Sequence, residues 1–234
     1  MLGAEEPVGE AVGDRDPVML RRVTRISVRG GGDDSERGMI VRLSTFGLIF
    51  GAALALGYLP TGAAADDLDI CANQSGDVAI AACSRAIASG RYHGSALAAT
   101  YYTRGVRYYE KNDLDRASAD FNKAILIFPI SNVYVNRGLA WYAKKEYERA
   151  TADFDEAIKR NPANVDAYKD RGAAWANRGE FGRAIADFDQ AIKLDPNDAE
   201  TYFNRGLAKR DNGDTPGGDA DIAAAKKINP EIGN

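Results

Sequence analysis

The feature that most constrains this chain is a repeat. Arg-Gly recurs at Arg104-Gly105, Arg137-Gly138, Arg171-Gly172 and Arg205-Gly206, in steps of 33, 34 and 34 residues. Proline keeps the same beat at Pro129, Pro162, Pro196 and Pro230, each 24 residues after its glycine. A fixed period in the thirties means stacked units, each too small to bury its apolar face except against its neighbours.

Within a unit the periodicity predicts helix, turn, helix. From Asn132 to Pro162, Tyr134, Gly138, Trp141 and Tyr142 form one apolar stripe at helical spacing. Lys144-Lys145 then suit a helix C-terminus. A second stripe, Tyr147, Ala150, Phe154, Ala157 and Ile158, is closed by Pro162, which cannot continue a helix. Gly179 and Gly213 mark the turns of the third and fourth units, where a left-handed residue past a helix end is expected. Asp113, Glu146, Glu180 and Asp214 follow the turns, where a second helix begins and negative charge is favoured.

Written out, the units read Tyr134-x2-Arg137-Gly138-x2-Trp141, Ala150-x3-Phe154, Pro162, and Tyr168-x2-Arg171-Gly172-x2-Trp175, Ala184-x3-Phe188, Pro196. The first unit has Tyr101, Gly105, Tyr108, Ala117, Phe121 and Pro129. This pattern resembles the tetratricopeptide repeat over about residues 98–231. The resemblance, to exported or periplasmic bacterial members in particular, implies an all-α solenoid of stacked antiparallel helix pairs. Two residues depart from the family pattern in every unit. Arg stands where Leu is usual before the glycine, and Asp120, Asp153, Asp187 and Asp221 precede the Phe position. Either these form a ladder of partly buried ion pairs, which an arginine's apolar stem and planar fork would suit, or both point to water. The fourth unit departs further, with Lys209, Gly218 and Ile222 replacing an aromatic, an Ala and the Phe. It reads as the C-terminal cap, with Pro216-Gly217-Gly218 expected to delay or fray its second helix.

The segment ahead of the repeats speaks to compartment. Leu43–Pro60 is uncharged, follows Arg42 and leads into Gly62-Ala63-Ala64-Ala65. That layout is expected of a secretory signal cleaved near Ala65, giving a periplasmic or secreted chain. The alternative is an uncleaved anchor with periplasmic repeats. Residues 1–38 show no apolar periodicity, and Met39 would make an ordinary start for the signal. They are expected to be a disordered extension, or the product of a start site placed too early. The expected organisation is therefore 1–38 extension, 39–65 signal, 66–94 half-repeat cap, then units at 95–130, 131–163, 164–197 and 198–234. The two cysteines, Cys71 and Cys83, fall in the half-repeat, with Cys83 where Phe would sit. In an exported chain the pair is expected to form a disulfide that pins a short first helix of about Asp67 to Asn73.

Residues 66–234 carry 26 acidic and 23 basic side chains, without the basic tract that nucleic-acid binding needs. The single histidine, His93, lies in a Gly-flanked insert and is expected to be solvated. Neither a phosphate loop, a nucleophile elbow nor metal-ligand spacing is evident, so no cofactor, metal or catalysis is expected. The family resemblance implies instead a groove lined by the first helices. Its positions here are Tyr102, Val106 and Tyr109, then Val135, Leu139 and Tyr142, then Lys169 and Ala173, then Phe203 and Leu207. The expected occupant is a protein or peptide segment, apolar or extended, held by an adaptor or assembly factor. An accessory subunit of a cell-envelope enzyme is the alternative. Some of these apolar residues could equally pack against neighbouring helices.

Overall fold

A computed structural model describes residues 62–233, with side chains from Asp67 onward. The expectations for residues 1–38 and for the signal up to residue 61 lie outside the described residues. Ten helices follow in order: α1 Gly62–Asn73, α2 Gly76–Ala88, α3 Gly94–Glu110, α4 Leu114–Ile127, α5 Ser131–Ala143, α6 Tyr147–Arg160, α7 Val165–Asn177, α8 Phe181–Leu194, α9 Ala199–Asp211 and α10 Thr215–Ile228. No strand occurs among the described residues. Each odd helix packs on the even helix after it, and each even helix packs on the next odd one. Successive odd helices also touch one another, which makes theirs the tighter, inner layer of an α-solenoid.

The repeated glycine is where a pair closes. A Cβ on Gly105, Gly138 or Gly172 would stand 2.7–2.8 Å from the ring of Phe121, Phe154 or Phe188. Each ring is buried almost completely in that contact. In the fourth pair Ile222 takes the ring's place, and the helices meet glycine to glycine. A Cβ on Gly218 would lie 2.6 Å from the Gly206 carbonyl oxygen. Gly218 is thus required by a closer approach. The expected fraying of this helix is not found. α10 starts at Thr215, directly after the turn, with Pro216 in its first turn, where a proline's missing N–H is not needed. The Asp214 carboxylate caps it by accepting from the Gly217 N–H at 3.0 Å.

The arginine–aspartate ladder is present, and it reaches between repeats. Arg104, Arg137, Arg171 and Arg205 each donate from Nε and Nη2 to both carboxylate oxygens of Asp120, Asp153, Asp187 and Asp221, at 2.6–2.8 Å. The remaining nitrogen, Nη1, reaches back to the residue that follows the Phe position of the preceding unit. These acceptors are Ser84 at 2.9 Å, Asn122 at 3.0 Å, Asp155 at 2.5 Å and Asp189 at 2.6 Å. The arginines also lie over Tyr101, Tyr134, Tyr168 and Tyr202, 5.4–5.7 Å from the ring centroids. In the last unit the residue after Ile222 is Ala223, which offers no side-chain acceptor to a further arginine. There Lys209 turns onto Asp221 at 2.9 Å instead. Burial opposes ionisation of Asp221, but Arg205 and Lys209 outweigh it and hold the carboxyl below its usual range.

At the N-terminal end Cys71 and Cys83 are disulfide-bonded and buried, tying α1 to α2. Cys83 occupies the slot that a phenylalanine fills in the next three pairs. The bridge therefore replaces ring packing with a covalent tie across a two-helix unit that has little core of its own. The turns inside the pairs share one backbone device. Gly179 and Gly213 take positive φ, and so do Asn112 (58°) and Lys145 (62°) at the equivalent places. The expectation that Lys145 serves the helix pole is corrected by this. It is the exposed left-handed residue of the turn, while Lys144 makes the ion pairs, at 2.8 Å to Asp115 and 3.3 Å to Glu146.

Two outcomes are expected in urea unfolding. Lys145→Gly should stabilise the fold by about 0.5–1 kcal/mol, because it relieves left-handed strain at an exposed site. Gly138→Ala should destabilise it by about 1–3 kcal/mol through overpacking against Phe154. For the ladder, Asp187→Ala should cost about 2–3 kcal/mol, since it strips two charged hydrogen bonds from a half-buried guanidinium. Asp155→Ala, at a more exposed carboxylate, should cost about 1 kcal/mol or less.

Candidate binding groove

The inner layer is built from α1, α3, α5, α7 and α9, which places one side of each odd helix on a continuous face. Tyr102 on α3 is half-buried, with its ring 6.0 Å from Phe121. Its hydroxyl oxygen accepts from Asn136 Nδ2 on α5 at 2.7 Å. Tyr142 on α5 repeats the arrangement. It is half-buried against Tyr147 at 5.3 Å, and its hydroxyl accepts from Asn177 Nδ2 on α7 at 2.7 Å. Adjacent inner helices are thus joined by a tyrosine–asparagine bond at nearly one repeat's spacing. Each asparagine is anchored in turn to its own helix, Asn136 to the Asn132 carbonyl and Asn177 to the Ala173 carbonyl.

Burial pushes the phenols of Tyr102, Tyr109 and Tyr142 upward, so all three stay neutral hydrogen-bonding groups at physiological pH. For Tyr109 and Tyr142 the negative charge of Asp170 adds to the effect, and the Asn136 bond opposes it at Tyr102. Asp170 is itself buried on α7, and its field reaches both of these tyrosines.

Not every residue expected in the groove opens onto it. Val106, Val135 and Ala173 are buried, at 6–7% exposure, and serve as packing between helices. Lys169, expected to stand in the groove as its one cation, is 1% exposed. Its ammonium donates to Asp198 Oδ2 at 2.8 Å, with Asp166 at 3.6 Å and Glu200 at 4.0 Å. The reason is Asp198 at the head of α9. It caps that helix through the Glu200 N–H and Thr201 Oγ1, and so presents a fixed carboxylate to α7. A buried ammonium is stable only when paired in this way.

Phe203 is also claimed from within. A Cβ on Gly233 would lie 2.7 Å from its ring, so the C-terminal turn rests on it, and buried Ile232 joins the same cluster. Leu207 is half-buried on α9. The structure therefore leaves Tyr102, Tyr109, Leu139 and Tyr142, all half-buried, as the partly open apolar and phenolic centre. Asn136, Asn177, Asp170 and Asp198 were missed in the sequence. The tyrosine-to-asparagine spacings of 34 and 35 residues carried a usable signal for the first two. His93 is exposed just ahead of α3 and makes no side-chain cap bond.

Three family profiles match the chain in succession, described as tetratricopeptide repeat over residues 98–130 and 131–164 and as TPR repeat over 175–213. The chain belongs to the tetratricopeptide repeat family. Solved structures agree with this family's fold. A crystal structure of MamA protein has a TM-score of 0.64 at 20% identity, over 72% of this chain and 93% of its own. MamA from residue 41 to its end, from Desulfovibrio magneticus RS-1, gives 0.65 at 16% identity, over 74% and 98%. The first tetratricopeptide repeat domain of Spaghetti (RPAP3), bound to the HSP90 peptide SRMEEVD, gives 0.51 at 23% identity, over 53% and 99%. At these identities the likeness is one of fold. No curated protein matches the chain.

Proposed function

We propose that this chain is an exported protein-binding module whose inner face holds an extended segment of a partner that is neutral or basic. Tetratricopeptide solenoids typically serve as non-catalytic scaffolds for protein interaction, and the fold supports that reading here. The observation that carries the partner's chemistry is the capture of Lys169 by Asp198. The Spaghetti repeat domain is solved with a peptide that contains two glutamates and ends in aspartate. Here the one lysine expected in the groove is buried and already neutralised among carboxylates, so an acidic segment would gain no cation from it. Tyr102, Tyr109 and Tyr142 instead offer broad rings and neutral hydroxyls at low entropic cost, suited to an extended backbone and apolar side chains.

Export is supported by the Leu43–Pro60 run and its small-residue exit, with processing after Ala65. The Cys71–Cys83 disulfide fits the same reading, because such bonds persist in oxidising compartments.

An array of extended peptides differing only in net charge tests the groove. Neutral and basic members should bind, and the double variant Tyr102→Ala, Tyr142→Ala should weaken them roughly tenfold or more. Tyr102→Phe with Tyr142→Phe keeps the packing and should fall between. Preference for acidic peptides, or unchanged affinity in the alanine variant, would refute the reading.

A further inference from the structure

The inner face changes character along the solenoid. On α3 and α5 its half-buried residues are Tyr102, Tyr109, Leu139 and Tyr142, apolar or phenolic throughout. On α7 the same register brings small residues. Ala173 stands where the two preceding units place Val106 and Leu139, and Ala176 where they place Tyr109 and Tyr142. One turn before Ala173, on the same side of α7, is Asp170. That side also carries Asn177, which bonds to the Tyr142 hydroxyl on α5. The field of Asp170 reaches Tyr109 on α3 as well as Tyr142, as expected for a carboxylate on the inner side of the stack.

The charge at this position is peculiar to the third unit. The second and fourth units have Asn136 and Asn204 there, and the first has Thr103. Asn136 satisfies the position with neutral bonds, to the Tyr102 hydroxyl and to the Asn132 carbonyl of its own helix. Stacking therefore asks for no charge here, since the sister units manage without one.

The surroundings add negative charge to that of Asp170. Arg171, Arg205, Lys209 and Arg210 on α7 and α9 are drawn to Asp187, Asp221 and Asp219 on the even helices. The remaining cation of these two helices, Lys169, lies within 4.0 Å of three carboxylates, those of Asp198, Asp166 and Glu200. One ammonium thus serves three carboxylates beside Asp170. At 4% exposure Asp170 is little screened by water, so a cation arriving over α7 feels it strongly. The tyrosine rings next to it suit the same visitor, because aromatic faces attract ammonium and guanidinium groups.

We propose that the α7 section of the groove is a subsite for a basic side chain, and that Asp170 selects lysine or arginine in the bound segment. The inference rests on the inner face being the protein-binding groove, and it gives the ligand a pattern: apolar residues over α3 and α5, a cation over α7. Packed helices lie about 8–10 Å apart and an extended chain advances about 3.3 Å per residue, so the cation belongs about three residues from the apolar anchor over α5.

Two series of labelled extended peptides test this on the chain from Asp66 onward. Both carry a leucine–phenylalanine anchor; one has a lysine walked residue by residue away from it, and the other a glutamine at the same places. Lysine about three residues from the anchor should bind roughly tenfold tighter than glutamine there. Asp170→Asn, which installs the residue of the second and fourth units, should erase that difference and leave the glutamine peptide's affinity unchanged. Asp170→Thr, after the first unit, should do the same. Asp166→Asn removes a charge from the same helix and should leave most of the preference intact. A lysine preference that survives in both Asp170 variants, or none in the native chain, would overturn the subsite while glutamine peptides still bound, and the groove reading would stand. Failure of every peptide to bind would overturn both.

Discussion

The arginine before each repeated glycine is the contact on which the stack depends. Its planar fork fits a carboxylate from the second helix of its own pair, which fixes the angle between the two helices. One nitrogen is left over, and it points back to the pair before. A single side chain therefore closes a repeat and couples it to its neighbour. The aspartates sit at 7–9% side-chain exposure, where solvent screens little of the attraction. The rear acceptor changes from Ser84 to Asn122 to Asp155 and Asp189 along the chain, so the coupling becomes a full ion pair only in the C-terminal half. Beyond Ala223 no further acceptor is offered, and the polar chain of contacts stops there.

With the stack held in this way, the inner face can carry contacts that are not needed to build it. Tyrosine and asparagine link adjacent inner helices through neutral hydrogen bonds, while the cations are used up among carboxylates. Lys169 illustrates the result. The same carboxylate that caps α9 also neutralises it, so a requirement of helix initiation decides the electrostatics of the groove two helices away. The C-terminal turn over Phe203 acts comparably and takes that ring out of the open face, whose apolar and phenolic centre lies on α3 and α5.

Much of this was legible in the residues. Periodicity alone gave the helix pairs, since glycine and proline recurring with the aromatics leave few other ways to bury a 34-residue unit. Cys71 and Cys83 were legible as a pair, because a cysteine stands where the ring would be, but the expected stub of about Asp67 to Asn73 is in fact a helix of twelve residues from Gly62. What the sequence could not decide were contacts between residues whose relative placement depends on superposed repeats. Whether Arg137 meets Asp153 or water, whether Lys169 faces the groove or Asp198, and whether Gly218 marks decay or close approach all turn on the distance between helices. That distance is set by every side chain in the interface at once. Helical propensity and spacing are local and can be read along the chain, whereas ion pairing and burial are collective, and only the packed stack determines them.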